Sequence, residues 1–245
     1  MKALIKGVLT GLGYQVSGTR YTPRQLLDPG NLLTVEFDHA ICRRMIEYSE
    51  AFRFIQVGVF DGIMADPLHK YISRFGWRGV MVEPQPKAVA SLRAVYKDGG
   101  PVTVMQAALD GAPGKRTLYM VGSGDAPSWA GGLASFDRDV ILKHADLLPS
   151  LEHMLHEEEV ACVTFDEVLA RLGSEEVDLL QIDTEGADAY ILSLFPFQRV
   201  RPAIVHFEVK HLSLADREAC LSRLLAHGYR VAPSGTEDML AVLSV

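Results

Sequence analysis

At 245 residues, 48% of them hydrophobic, the chain is long enough for one large α/β domain, and a formal charge of −7 gives it no general pull toward phosphate backbones. No apolar run approaches the roughly 20 residues a membrane helix needs. The three cysteines, Cys42, Cys162 and Cys220, are far apart and form no CxxC pair, which argues against a disulfide framework or zinc knuckle and fits a reducing cytoplasm. The opening "MKALIKGVLTGLGYQV" is basic and weakly apolar. Lys6 interrupts the apolar run and no small-residue cleavage site follows, so an amphipathic helix packed on the domain is expected rather than a secretion signal. Residues 1–50 are therefore read as an N-terminal helical segment, and 51–245 as the main domain.

From Phe54 the chain alternates strands and helices. "FRFIQVGV" is a nearly continuous apolar run, the pattern of a strand buried on both faces. "PLHKYISRFG" has helical spacing, "RGVMVEP" is a second strand stopped at Pro84, and "PKAVASLRAVYKDGG" is a helix ended by Gly99 and Gly100. "VTVMQAAL" reads as the third strand and "GKRTLYMV" as a further strand-like piece. Residues 122–160 break the rhythm. They begin with the glycine-rich "GSGDAPSWAGGLASFDRD" and continue as a helical region holding His144, His153 and His156. A segment this long inside a domain is expected to be a lid or wall, with Trp129 and Phe136 as covering groups. His153 and His156 have the i,i+3 spacing of a metal pair, but Glu157, Glu158 and Glu159 beside them read as a solvated helix end.

Regularity then returns. "CVTFDEVLARLG" carries a helix with the capping-box pair Thr164 and Glu167. "VDLLQID" and "PAIVHFEV" are strands four and five, "LADREACLSRLLAHG" is an amphipathic helix, and "YRVAP…MLAVLSV" is an antiparallel hairpin. The expected fold is a doubly wound, mostly parallel sheet, whose ligands lie beyond the carboxyl ends of the strands. Gly58, Asp61, Glu83, Asp183 and Glu208 all fall there. Glu83, 25 positions after Gly58, has the spacing of an acid that meets ribose hydroxyls. Asp61 in the glycine turn argues against a pyrophosphate, and no G-x-G-x-x-G is present. An adenosine cofactor with a cationic centre and an amino-acid tail, S-adenosylmethionine, removes that objection, and its ammonium can use Asp183.

"FIQVGVFDG", "GVMVEPQP", "VMQAALDG", "VTFDEVL", "LLQIDTEGAD" and "AIVHFEV" resemble, in order and spacing, the FkbM-type S-adenosylmethionine-dependent methyltransferases, over Phe54 to Val245. The resemblance implies a Rossmann-like class I methyltransferase sheet with an antiparallel final strand, and O-methylation of a hydroxyl on a natural product, sugar or other small molecule. Gln56 departs from the pattern, standing where the family has an acid. Candidate cofactor contacts are Gln56, Gly58, Phe60, Asp61, Glu83, Ala107 and Asp183. Candidate catalytic residues are Asp183, Glu208 and His211; His206 reads as a core histidine. Converging acids repel unless a cation intervenes, so Asp183 and Glu208 are also candidate ligands of Mg2+, the alternative being that Glu208 takes the acceptor proton, alone or with His211. A small-molecule or glycan acceptor, no nucleic acid, no integral membrane segment, possible oligomerisation and a cytoplasmic location complete the expectations. A nicotinamide-dependent oxidoreductase and a non-catalytic cofactor-binding module remain the alternatives.

Overall fold

The structure is a computed structural model that describes residues 14–16, 33–47, 52–64, 66–97, 99–122, 127–148 and 150–244. In chain order its elements are β1 (Tyr14–Val16), β2 (Leu33–Val35), α1 (Phe37–Glu47), β3 (Arg53–Val57), α2 (His69–Phe75), β4 (Arg78–Glu83), α3 (Pro86–Val95), β5 (Val102–Gln106), β6 (Ala108–Leu109) and β7 (Gly114–Val121). A 3-10 turn over Ser128–Gly132 leads to β8 (Ala134–Ser135), α4 (Arg138–Leu142), α5 (Leu151–Met154), β9 (Leu155–Val163) and α6 (Phe165–Leu172). The chain continues with β10 (Leu179–Ile182), α7 (Asp188–Leu194), β11 (Ile204–Glu208), α8 (Leu214–Ala226), β12 (Tyr229–Ser234) and β13 (Asp238–Leu243).

Seven strands form the main sheet in the order β12-β13-β11-β10-β3-β4-β5. β13 runs antiparallel to both of its neighbours, and every other pair is parallel. The apolar runs of β3, β4, β10 and β11 are explained by helices on both faces. One face carries Ile55, Val80, Leu180 and Val205 under α6, α7 and α8. The other carries Phe54, Met81, Leu179 and Ile204 under α1, α2 and α3. α1 is anchored by fully buried Ile41 and by Arg44, whose guanidinium meets Asp178 at 2.7 Å. Among the described residues, no helix is long and apolar enough to cross a membrane.

Two expectations change. Residues 1–50 are helical over Phe37–Glu47, but Tyr14–Val16 and Leu33–Val35 pair as an antiparallel ribbon; the helix expected over residues 1–13 lies outside the described residues. The insertion is also more regular than a lid loop. β6, β9, β7 and β8 build a second sheet, in which β9 pairs with β7 from Gly114↔Cys162 to Val121↔Leu155. His156 and Glu157, Glu158 and Glu159 therefore lie on a strand, not at a helix end. Glutamate has low strand propensity, but cross-strand pairing and burial of alternate positions such as Val160 and Cys162 override it.

Candidate active site

The glycine turn after β3 is dictated by crowding. β3 lies between β4 and β10, and its ladder continues past its end: Gly58 N–H donates to the Val82 carbonyl at 3.0 Å, and Asp183 N–H donates to the Val57 carbonyl at 2.9 Å. A Cβ at Gly58 would stand 1.7 Å from the Asp183 carbonyl oxygen, and its φ is +74°, so only glycine fits. The chain then doubles back through Phe60 at φ 54°. Glu83, at the tip of β4, holds this turn. One carboxylate oxygen accepts from Val59 and Phe60 N–H at 3.0 and 2.9 Å, and the other from Gln85 N–H at 2.9 Å. Burial pushes its carboxyl above the usual range, and the three amides oppose that shift.

Beyond these strand ends lies a cavity of about 240 Å³. Gln56, Gly58, Phe60, Glu83, Ala107 and Asp183 all line it, so the structure brings together all but one of the expected cofactor contacts. The exception is Asp61, which lines a neighbouring cavity of about 500 Å³. Its carboxylate accepts from Ile63 and Met64 N–H at 2.9 and 2.7 Å, and so caps its own turn. The insertion supplies one wall of the first cavity through Gly132, Ala134, Ser135 and Phe136. The Trp129 side chain lies outside the described residues.

Sequence reading missed Asp66. Its Oδ1 accepts from Gln56 Nε2 at 3.1 Å and from Leu68 N–H at 2.8 Å, while Asp66 Oδ2 and Gln56 Oε1 are buried with no partner. Two orphaned acceptors at one end of a cavity suit a ligand that brings N–H donors. The only sequence signal was an Asp-Pro pair before a helix, which reads as a helix start.

The opposite wall is acidic. Asp183 is exposed to the cavity and accepts no hydrogen bond among the described residues. Burial by the surrounding protein, then Asp188 and Glu185, push its carboxyl up to about 8. Glu208 is buried behind it, with Oε2 unpartnered, and lies opposite Asp238 in the β11–β13 ladder. Desolvation first, then Asp183 and Glu185, push Glu208 up to about 9. His206 is the core histidine expected: its Nδ1 meets Gln181 Oε1 at 2.8 Å, and burial lowers it to about 4. Glu208 and His211 do not line the first cavity, and Asp183 with Glu208 recruits no third ligating group among the described residues. Asp188, fully buried, ties the loop ahead of α7 by accepting from Thr184 N–H at 3.3 Å and Gly186 N–H at 3.2 Å.

Glu208 yields a pH prediction. A carboxyl raised in the folded chain, against about 4.3 unfolded, contributes stability that is complete below the unfolded value and is lost as pH rises toward about 9. Glu208→Gln is therefore expected to gain stability relative to the parent between pH 5 and 8, with a slope of at most about 1.4 kcal/mol per pH unit. Urea midpoints at the two pH values check this, and parallel curves for the two proteins would mean that Glu208 ionises normally.

A seven-stranded sheet with β13 antiparallel, and a glycine turn facing an acid at the end of the neighbouring strand, define a Rossmann-like class I methyltransferase fold. The chain belongs to the family described as the methyltransferase FkbM domain, whose profile matches residues 56–231. No curated protein matches the chain. It is similar to the crystal structure of methyltransferase FkbM from Methylobacillus flagellatus KT, at 12% identity and a TM-score of 0.48, over 78% of this chain and 43% of that one. The chain thus spans less than half the length of that protein. It is also similar to the N-terminal domain of human METTL16 in complex with SAH, at 10% identity and a TM-score of 0.44, over 99% of this chain and 81% of that one. The ribosomal protein L11 methylase from Lactobacillus delbrueckii subsp. bulgaricus is 8% identical with a TM-score of 0.40, over 84% of this chain and 76% of that one.

Proposed function

We propose that the chain is an S-adenosylmethionine-dependent O-methyltransferase acting on a hydroxyl of a small molecule or sugar. The observation that carries this reading is the free Asp183 carboxylate in a cavity otherwise furnished for a nucleoside with an amino-acid tail. Gln56 Oε1 and Asp66 Oδ2, both orphaned, take the tail's ammonium. Glu83 has lone pairs left after its three amides and accepts from ribose hydroxyls. Gly58, Phe60 and Ala107 bring the wall close to the ligand. When bound, the cofactor supplies an electrophilic methyl group. Everything else falls to positioning and to one proton, since a hydroxyl that becomes an ether must release its hydrogen. Of the acids lining the cavity, Glu83 is held by backbone amides, Asp66 by Gln56 and Leu68, and Glu185 is paired with His211. Asp183 is left to take the proton. Burial, then Asp188 and Glu185, raise its proton affinity, and Phe136 with the insertion's wall excludes water.

The test combines binding and turnover. Calorimetry is expected to detect S-adenosylmethionine and S-adenosylhomocysteine but not NAD, and saturating S-adenosylhomocysteine at 100 times its Kd should add about 2.7 kcal/mol of stability. An acceptor library carrying hydroxyl and amine members should then be methylated on oxygen. Binding of NAD alone would return the oxidoreductase reading, and methylation confined to amines would remove the need for a base.

A further inference from the structure

His144, Glu185 and His211 converge beside the cleft from three separate places in the fold. His144 follows α4 in the insertion, Glu185 lies in the loop from β10 to α7, and His211 follows β11. One ligand atom from each falls within 4.8 Å of the other two. We propose that they form a binding site for a zinc-type divalent ion, distinct from the Asp183–Glu208 pair, which fixes the insertion's wall against the cleft. This site does not depend on which cofactor or acceptor the cavity takes.

Three features support it. First, His211 is buried to 7% side-chain exposure, and its Nε2 lies 3.2 Å from Glu185 Oε2. That approach is close enough for an ion pair but is not aligned as a hydrogen bond, so Nε2 has no hydrogen-bonding partner among the described residues. An unpartnered, buried imidazole nitrogen beside a carboxylate is costly unless something else occupies its axis. Second, the other imidazole is already oriented for ligation. His144 Nδ1 meets the Ile141 carbonyl at 3.3 Å, which fixes the tautomer and leaves Nε2 with its lone pair, the arrangement seen in metal-bound histidines. The two rings lie 5.5 Å apart, centroid to centroid.

Third, the backbone is strained to aim Glu185. Its φ is +51°, in the left-handed region that costs a residue with a Cβ about 1–2 kcal/mol. Gly186 follows at φ +103°, where a Cβ would come within 3.3 Å of Val140 Cγ1 and 3.4 Å of His211 Cβ. The loop is thus pressed between α4 and the segment after β11, and such strain persists where a site over-determines it.

The donor set selects the ion. Two imidazoles and one carboxylate suit zinc and its transition-metal neighbours better than magnesium, which prefers oxygen ligands. Zinc-to-ligand distances of about 2.0–2.2 Å place tetrahedral donor atoms about 3.4 Å apart. The 3.2 Å separation of His211 and Glu185 already satisfies that, and the His144 ligand atom lies within 4.8 Å of both. Three protein ligands leave a fourth position for water.

The experiment uses the whole chain after dialysis against EDTA. Titration with zinc is expected to show one equivalent bound at micromolar or tighter affinity, with a rise in melting temperature. Cobalt(II) should give the visible absorption of a four-coordinate site. His144→Ala and His211→Ala should each lose that equivalent by at least about a hundredfold in affinity, while circular dichroism and a cooperative urea transition verify that each variant is folded. His153→Ala, an exposed histidine elsewhere in the insertion, should bind as the parent does. Absence of zinc binding in the parent would overturn the proposal, as would zinc binding unaffected in folded His144→Ala. Zinc binding by a parent that takes up no S-adenosylhomocysteine would uphold this site while the methyltransferase reading failed.

Discussion

Asp183→Asn is expected to lower methyl transfer by about 10²–10⁴-fold, the range a positioned general base supplies, while S-adenosylhomocysteine affinity stays within a few-fold of the parent. Asparagine keeps the shape and volume of the side chain but cannot take a proton. The substitution breaks no internal hydrogen bond, because the Asp183 carboxylate accepts none among the described residues. It also removes one member of a group of like charges, since Asp188, Glu185 and Asp238 all push the Asp183 carboxyl upward. The variant should therefore be at least as stable as the parent near pH 8. A large loss of turnover without a loss of stability separates a chemical role from a folding defect. Single-turnover rates with calorimetry make the comparison. Normal turnover would place the base elsewhere. A loss of cofactor affinity beyond tenfold would mean that Asp183, rather than Asp66 with Gln56, holds the ammonium.

The main sheet was legible because its strands are buried on both faces, and nearly unbroken apolar runs such as those containing Phe54, Val80, Leu180 and Val205 leave little choice. Local chemistry was equally readable. Thr164 and Glu167 form the reciprocal cap their spacing announced, with Thr164 N–H donating to Glu167 at 2.8 Å. The antiparallel C-terminal hairpin also appears, and β13 inserts between β11 and β12. The insertion hid its structure because its information is not local. Glu157, Glu158 and Glu159 read as solvated under any local rule, and only the partner strand Gly114–Val121, more than thirty residues earlier in sequence, makes them a strand. The site divides in the same way. Residues at strand tips, such as Gly58, Glu83 and Asp183, were readable because the topology alone collects them. Asp66 was not, because a cap-like aspartate acquires meaning only from what packs against it, here Gln56.

Gly58→Ala is expected to abolish measurable cofactor binding and to destabilise the fold more than any other glycine replacement in the strand-end loops. Left-handed backbone at φ +74° costs an alanine about 1–2 kcal/mol by itself. The larger effect is steric. The new methyl would stand 1.7 Å from the Asp183 carbonyl oxygen, where ordinary contact begins near 3.4 Å, and that oxygen belongs to backbone that cannot swing aside like a flexible side chain. β3 and β10 must separate at their tips, or the turn must lift. Either movement carries Val59 and Phe60 N–H away from Glu83, leaving a buried carboxylate short of the donors that hold it. It also displaces Asp183, and misplacement of about 1 Å at a reacting group costs on the order of 100-fold in rate. Gly76→Ala is the control: its φ is +64°, yet no atom lies within 4 Å of the place its new methyl would take, so it incurs the conformational strain alone. Urea midpoints and S-adenosylhomocysteine calorimetry on both variants test the difference. The Gly76 variant should bind normally with a modest loss of stability, and the Gly58 variant should lose both. Equal losses in the two would mean that the strand tips of β3 and β10 do not approach as closely as 1.7 Å implies.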